Sequence, residues 1–170
     1  MSGKEVRMDK LEYIQGDLVM TNGKPIGTKE GIVYRVTSSD PSKTLKLKDG
    51  TVLKGVVCLE NIEGAEFGDK GYLLCDCCAW VKHIVPIKLT PQILEANGWE
   101  KGELKQEDNA SAYYYPYRKK GCIIELRYYT SCDMFIPYIG QEDLINTLFL
   151  YVHQLQNLLF GLNLPMDLKV

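Results

Sequence analysis

The feature that most constrains the fold is a run at residues 87–99, in which nearly every position has a role in one short helix. Thr90 is the expected N-cap, because its hydroxyl can accept a hydrogen bond from a free amide of the first turn. Pro91 suits the first helical position, where its missing N–H is not needed. Asn97 and Gly98 follow as a left-handed stop. The run predicts a short capped helix and, by itself, no chemistry.

Size, charge and cysteine content narrow the class of protein. The chain has 170 residues, of which 45% are hydrophobic and 25% charged, as in ordinary globular proteins. Its net charge of -2 gives no general attraction to phosphate backbones or anionic membranes. The first ten residues lack the apolar stretch of a secretory signal. The six cysteines of the chain are therefore expected to be reduced thiols in a cytoplasm.

No membrane span is expected either. Residues 144–166 carry no charged side chain, but amides and a histidine interrupt the stretch. We therefore interpret it as part of a folded core.

Short strand-like runs dominate the first half of the chain. Residues 16–20 and 31–36 are rich in apolar and β-branched side chains and are bounded by turn residues, which predicts strands. Residues 45–48 alternate leucine with lysine, and the Asp-Gly pair at 49–50 predicts a hairpin. Because several short strands bury one face most economically by closing on themselves, we predict a small SH3-like β-barrel over residues 1–86.

The second half, residues 87–170, is predicted to be an α+β region that continues from the capped helix. Residues 113–117 and 122–129 are rich in aromatic and β-branched side chains and flank a basic turn at 118–121, which predicts a tyrosine-rich hairpin. Residues 134–139 add a strand whose proline favours a sheet edge. The whole chain is thus assigned to the α+β class, with a C-terminal helix.

The C-terminal stretch leaves two alternatives open. Apolar residues at four-three spacing favour one helix from about Glu142 to Phe160, whereas residues 147–151 also fit a buried strand. In both cases residues 152–160 are predicted to be helical, with Gly161 ending the helix. The alternation at residues 166–170 predicts a last short strand.

Residues 87–99 and 151–160 together resemble an uncharacterised family of small proteins from bacteria and their phages. The family carries a Pro-Leu-Thr-Pro-Glu-Ile-Leu-type motif and a later His-Gln-Leu-Gln-Asn motif, and residues 16–19 resemble its opening strand. The resemblance implies a phage, prophage or mobile-element setting and favours the strand at 147–151, but it brings no known activity. Lys88, Gln92 and a longer stretch at 68–79 depart from the pattern.

A metal site is one candidate for chemistry. Cys75, Cys77, Cys78 and His83 could supply ligands for zinc, which needs four of them in a tetrahedral arrangement. A strand, however, would place Cys78 on the face opposite Cys75 and Cys77, and no second Cys-x-x-Cys pair exists. We interpret these residues as buried or half-buried thiols and predict no cofactor.

Cysteine catalysis is a second candidate for chemistry. A nucleophilic cysteine needs a nearby base, and the sequence holds only two histidines, His83 and His153. A pairing of Cys122 or Cys132 with His153 has no support in the spacing. We therefore predict that the chain is not an enzyme and keep a cysteine-dependent or zinc-assisted hydrolase as an alternative.

Basic and aromatic residues suggest a nucleic-acid surface as another alternative. Tyr113, Tyr115 and Tyr117 share one face of the predicted strand and lie beside Arg118 and Lys119, an arrangement that could stack bases. The same face could instead be packed inside the domain. In the first half, four lysines offer a second basic face: Lys43, Lys46, Lys48 and Lys54.

The C-terminal helix offers a protein-binding surface. His153, Gln154 and Asn157 lie in a segment without charged side chains, and residues that both donate and accept hydrogen bonds suit half-buried positions. They could pack within the chain or across a homodimer interface. The sequence therefore favours a non-enzymatic binding or accessory protein that contacts an unknown protein partner or a second copy of itself.

Overall fold

The computed structural model describes residues 12–62, 77–107, 111–140, 142–143 and 148–170. The chain divides into two compact units, Met1–Pro86 and Ile87–Val170. Among the described residues, strands predominate and two α-helices occur, both in the second unit and one of them near the C-terminus. The predicted mixed α+β composition is confirmed. No helix among the described residues is long and apolar enough to cross a membrane.

The first unit is built on one antiparallel sheet. Its strand order is β4-β3-β2-β1-β5, and residues that alternate along the strands bury one apolar core. The strands are β1 (Leu18–Thr21), β2 (Val33–Lys46), β3 (Val52–Asn61), β4 (Cys77–Trp80) and β5 (Ile84–Pro86), with a 3₁₀ turn (Val81–His83) between β4 and β5.

The predicted SH3-like barrel is not closed by the strand pairings of the described residues. Strands β4 and β5 are the two ends of the sheet order, with no pairing between them in this part of the chain. Much of the sheet consists instead of one long ribbon, in which β2 pairs with β3 from Tyr34↔Asn61 to Lys46↔Val52. Counting strands does not reveal this, because residues 38–42, whose proline, aspartate and serines are typical of a loop, lie within β2 as a bulged continuation.

The hairpin predicted at residues 49–50 is confirmed at the tip of this ribbon. The backbone N–H of Leu47 donates to the carbonyl of Thr51 at 2.8 Å, and Asp49 Oδ1 accepts from the Thr51 N–H at 2.9 Å. Gly50 has a φ of 86°, a left-handed value that favours glycine. On the ribbon, Leu53 is 5% exposed, whereas Leu45 is 46% exposed.

The second unit combines a second antiparallel sheet with two helices. Its strand order is β11-β10-β9-β8-β6, and β7 pairs with another part of β8. The elements are α1 (Pro91–Ala96), β6 (Trp99–Lys101), β7 (Lys105–Gln106), β8 (Tyr113–Lys119), β9 (Ile124–Tyr129), β10 (Met134–Ile139), β11 (Glu142–Asp143) and α2 (Val152–Gly161). Pro137 of β10 pairs with Leu126 of β9. On its other side, β10 pairs with the two-residue strand β11.

The capped helix predicted at residues 87–99 is confirmed as α1. Thr90 Oγ1 accepts a hydrogen bond from the backbone of Ile93 at 3.3 Å, and Gly98 has a φ of 78°. Asn97 does more than stop the helix. Its Nδ2 donates to the carbonyls of Ile93 at 2.7 Å and Lys169 at 2.8 Å, and its Oδ1 accepts from the Lys169 N–H at 2.8 Å.

The prediction of a single helix from Glu142 to Phe160 is wrong. Residues 142–143 pair with β10, and α2 begins only at Val152. Between them, Phe149 and Tyr151 form isolated antiparallel bridges with Phe135 and Lys88, which agrees with the extended alternative, although residues 144–147 lie outside the described residues.

A side chain fixes where α2 starts. Gln154 Oε1 accepts from the N–H groups of Leu150 at 2.8 Å and Tyr151 at 3.0 Å, as in one half of a capping box. The helix ends at Gly161, as predicted. The last strand predicted at 166–170 is not formed in this part of the chain, where the Lys169 backbone pairs with the Asn97 side chain instead.

Candidate functional site

The predicted tyrosine-rich hairpin is confirmed as β8 and β9. Tyr115 lies opposite Tyr128, and Arg118 opposite Glu125. The turn between the strands closes with a hydrogen bond from the Cys122 N–H to the Lys119 carbonyl at 3.0 Å. The hairpin thus carries the basic turn at one end of the sheet of the second unit.

Two of the three tyrosines on the predicted stacking face are engaged inside the unit. Tyr117 is fully buried; its ring meets Phe135 edge-on at 6.1 Å, and burial raises the pKa of its hydroxyl to about 12. The ring of Tyr115 lies beneath the Lys101 ammonium, 3.9 Å from its centroid. Tyr113, at 50% exposure, keeps an open ring surface.

The other face of the hairpin holds a charge cluster that the sequence interpretation missed. Arg127 lies between two tyrosine rings, with its guanidinium carbon 4.6 Å from the centroid of Tyr114 and 3.6 Å from that of Tyr138. Its Nε donates to Glu125 Oε1 at 3.0 Å, and Arg118 Nε donates to the other carboxylate oxygen at 2.6 Å. The Glu125 carboxylate is therefore shared by two guanidinium groups. Burial is the largest single influence and raises its pKa, but the hydrogen bonds and charges of the two arginines together outweigh burial and hold the pKa below the ordinary value.

The two arginines differ in their freedom to reach a ligand. The side chain of Arg127 is 12% exposed and that of Glu125 13% exposed, whereas the side chain of Arg118 is 66% exposed. Nearby, Glu107 accepts hydrogen bonds from the hydroxyls of Tyr129 at 3.1 Å and Tyr138 at 3.5 Å. Arg127 is thus a fixed part of the sheet, and Arg118 is its solvent-facing neighbour.

Two clefts meet at this cluster and together form what we call the outer groove. The larger has a volume of about 560 Å³ and the smaller about 260 Å³, and both are lined by Arg118, Glu125 and Gly140. Five cationic side chains line the groove against two carboxylates, Glu100 and Glu125. The cations are Lys105, Arg118, Lys119, Lys120 and Arg127. An acidic protein therefore carries a locally basic groove.

The lysines predicted as a basic face in the first half lie on the β2–β3 ribbon. Lys46 lies opposite Val52, and Lys54 opposite Thr44, so Lys46 and Lys54 share a face. Lys43 and Lys48 are exposed on the same ribbon. The lysines therefore lie on the two-stranded part of the ribbon and its turn, beyond the pairings of β2 with β1 and of β3 with β4.

In the predicted zinc site, each side chain that the structure describes contacts a different partner. Cys77 Sγ donates to the Ile26 carbonyl at 3.0 Å, and the Cys78 and Cys58 sulfurs are 3.1 Å apart. His83 Nδ1 lies 3.2 Å from the side-chain nitrogen of Asn22. No group of three potential metal ligands occurs among the described residues, and Cys75 lies outside them.

The environments of the cysteines also bear on the hydrolase alternative. The hydrogen bond with Cys58 raises the pKa of Cys78 to about 11, which disfavours a reactive thiolate. Cys132 Sγ is directed to the Tyr129 carbonyl at 3.8 Å, whereas the ring of His153 stacks on Tyr151 with centroids 5.9 Å apart. These contacts supply no base for a nucleophilic sulfur.

The polar residues of α2 make contacts within their own unit. His153 is 5% exposed, and burial lowers the pKa of its imidazole to about 4, so that it is neutral at physiological pH. Gln154 caps the helix start, and Gln156 Nε2 donates to the Met166 carbonyl at 3.1 Å. Asn157 is half-buried.

No protein-family model matches this chain, and searches of curated proteins and of solved structures found no significant match. The motif resemblance to a bacterial and phage family therefore stays a prediction.

Proposed function

We propose that this chain is a non-enzymatic binding protein whose second unit holds an acidic segment of a partner protein in the outer groove. The observation that carries the proposal is the meeting of two clefts at Arg118, with five cations and two carboxylates along their walls. Complementary charge of this kind attracts a partner and sets its orientation.

The groove offers both a fixed wall and adaptable contacts. Arg127 is held by two rings and by Glu125, so it needs no ordering when a ligand arrives. Arg118 already donates to a carboxylate, and its exposed guanidinium can form a two-pronged contact with a second one. Ile123, which is 61% exposed in the lining of the larger cleft, supplies an apolar contact. The best ligand is an acidic segment with an apolar side chain.

A partner protein fits this surface better than a single-stranded nucleic acid. Binders of single strands present several open aromatic rings to successive bases. Here Tyr117 is buried and Lys101 covers Tyr115, which leaves Tyr113 as the exposed ring of that face. Basic charge alone would still attract phosphates, so the test includes an oligonucleotide.

The setting of this activity is a further part of the proposal. The motif resemblance supports an accessory role in a phage or prophage context, and a cytoplasmic location is proposed together with it. For the first unit we retain the SH3-like barrel as a proposal, supported by its small antiparallel sheet around one core.

The test measures binding of a fluorescent peptide rich in Glu and Asp with one Leu, by anisotropy at low and physiological salt. We expect the double variant Arg118→Ala, Lys120→Ala to bind at least about tenfold more weakly, since two charge-assisted contacts are lost. The matched control, Lys48→Ala, Lys54→Ala, removes the same charge from the ribbon of the first unit and should change the affinity less than about twofold.

Three outcomes would count against the proposal. Equal losses in both double variants would show attraction to net charge instead of a groove. No peptide binding at low salt would also contradict it. Tight binding of an oligothymidine, with peptide binding absent, would favour the nucleic-acid alternative.

A further inference from the structure

Strands β3 and β4 bring two thiols together on the first unit. Cys58 and Cys78 are paired directly across the antiparallel strands, and their sulfurs are 3.1 Å apart. Cys78 is exposed and Cys58 half-buried, so reagents in solution can reach the pair. The two cysteines are 20 positions apart in the sequence, and the strand register brings them together.

The register suits a covalent bond between these sulfurs. Residues directly opposite in antiparallel strands have Cα atoms about 4.5 to 5.5 Å apart, which lies within the range found in disulfides. The sulfurs must approach by about 1 Å to reach the length of a disulfide bond. The backbone therefore needs no rearrangement of the strand pairing.

We infer that Cys58 and Cys78 are a site of reversible disulfide formation, by exchange with a low-molecular-weight disulfide such as oxidised glutathione. One thiol of the pair loses its proton and attacks one sulfur of the reagent, forming a mixed disulfide. One glutathione leaves as a thiolate and takes up that proton. The second thiol of the pair then loses its proton and attacks the protein sulfur of the mixed disulfide, and the second glutathione leaves and is protonated in turn. Two protein thiols are oxidised, and one glutathione disulfide is reduced to two glutathione thiols.

The neighbouring cysteine provides a built-in comparison. Cys77 is adjacent to Cys78 in sequence but is paired with Leu59, and its sulfur donates to the Ile26 carbonyl. Because successive side chains of a strand point to opposite faces, Cys77 cannot share the face of Cys58. The bridge is therefore expected to be selective for Cys78.

The bridge would act on one edge of the sheet. Strand β4 is the end of the sheet order and is held by its pairing with β3. A covalent link at Cys58 and Cys78 keeps the two strands together even when their hydrogen bonds open. Oxidation is thus expected to slow amide hydrogen exchange in β4, whereas α1 of the second unit should exchange at an unchanged rate.

The experiment incubates the folded, full chain in glutathione buffers of increasing oxidised fraction, blocks free thiols, and maps disulfides by mass spectrometry. The expected result is one bridged peptide pair containing Cys58 and Cys78, with the loss of two hydrogens, that reverses on reduction. Cys78→Ser should abolish the bridge, and Cys77→Ser should retain it to within about twofold of the wild-type amount.

The wild-type map decides the matter even if a variant folds poorly. A bridge from Cys78 to any other cysteine, glutathione bound to single cysteines without an internal bridge, or no reaction with excess oxidised glutathione would overturn the inference. So would a bridge that forms only in denaturant. Unchanged exchange in β4 of the bridged protein would overturn the effect on the sheet edge.

Discussion

The side-chain amide of Asn97 exchanges a pair of hydrogen bonds with the backbone of Lys169, each 2.8 Å long. The same Nδ2 atom donates to the Ile93 carbonyl, so one side chain closes α1 and holds a segment 72 positions away in the sequence. The residue that the sequence marks as a local helix stop is therefore also a long-range contact.

We expect Asn97→Ala to destabilise the second unit by about 2 kcal/mol, because three partly exposed hydrogen bonds are lost. Lys169→Ala is the matched control, since its contacts with Asn97 are made by backbone atoms; it should change the free energy of unfolding by less than about 0.5 kcal/mol. Urea unfolding measures both. Trp99 reports on this unit in a Trp80→Phe background, since the chain has 2 tryptophans and one lies in each unit. Equal effects of the two variants would contradict the contact.

Gln154 is expected to act through its acceptor oxygen alone. Gln154→Ala should cost about 1 kcal/mol, because the N–H groups of Leu150 and Tyr151 lose their acceptor. Gln154→Glu keeps an acceptor and adds negative charge near the helix N-terminus, so it should be neutral or slightly stabilising. Thermal unfolding followed by circular dichroism compares the three proteins. A glutamate variant as unstable as the alanine variant would show that the amide nitrogen matters.

The two guanidinium partners of Glu125 should differ strongly in their contribution. Arg127→Ala is expected to cost about 3 kcal/mol, because it leaves a nearly buried carboxylate without its inner partner and removes the contacts with Tyr114 and Tyr138. Arg118→Ala removes an exposed partner and should cost about 1 kcal/mol or less. Chemical denaturation of both variants gives the comparison. Similar losses would mean that the ring contacts contribute little.

Asp17 is expected to make the first unit less stable as pH rises from about 4 to about 7. Its side chain is fully buried, and burial raises the pKa of the carboxyl from 3.8 to about 7, against the opposing bond from the Ile14 N–H. In this window the folded state therefore binds more protons than the unfolded chain, and stability falls as they are released. Asp17→Asn should flatten the dependence, measured by urea unfolding of Trp80 fluorescence in a Trp99→Phe background. An unchanged slope would be inconsistent with a buried carboxyl of raised pKa.

His153 should produce the opposite trend in the second unit. Burial lowers the pKa of its imidazole from 6.5 to about 4, so the unfolded chain binds the extra proton between these values. Stability should therefore be lost as pH falls from about 6.5 to about 4. Trp99 fluorescence measures this in a Trp80→Phe background, with His153→Gln as the comparison. The free energy of unfolding of His153→Gln is expected to differ from that of the wild type. The test is whether it changes less with pH between about 4 and about 6.5.

Local signals account for what the sequence predicted well. Thr90, Pro91 and Gly98 define α1 through interactions within a few residues, and the Asp-Gly pair at 49–50 defines the ribbon turn in the same way. The start of α2 is different. An apolar run with four-three spacing is compatible with a helix and with a strand, and the choice depends on Gln154 as an acceptor for the preceding backbone.

The sequence indicated Arg118 and Lys119 of the groove as candidate binding residues, but the rest of the groove and the thiol pair could not be predicted, because they depend on register between strands. Tyr114, Arg127 and Tyr138 come from three neighbouring strands, and no sequence spacing indicates that their side chains meet. Cys58 was absent from the predicted cysteine cluster for the same reason: 20 positions separate it from Cys78. The alternation rule did place Cys77 and Cys78 on opposite faces.

The ends of both sheets are formed by short strands. Among the described residues, β4 has 4 residues, β5 and β6 have 3 each, and β11 has 2, whereas the 14-residue β2 and the 10-residue β3 each pair with a further strand over part of their length. A short edge gives another chain few unpaired backbone groups to extend, which protects against amyloid-like growth. These ends of the native sheets are therefore poor templates for the addition of a strand from another chain.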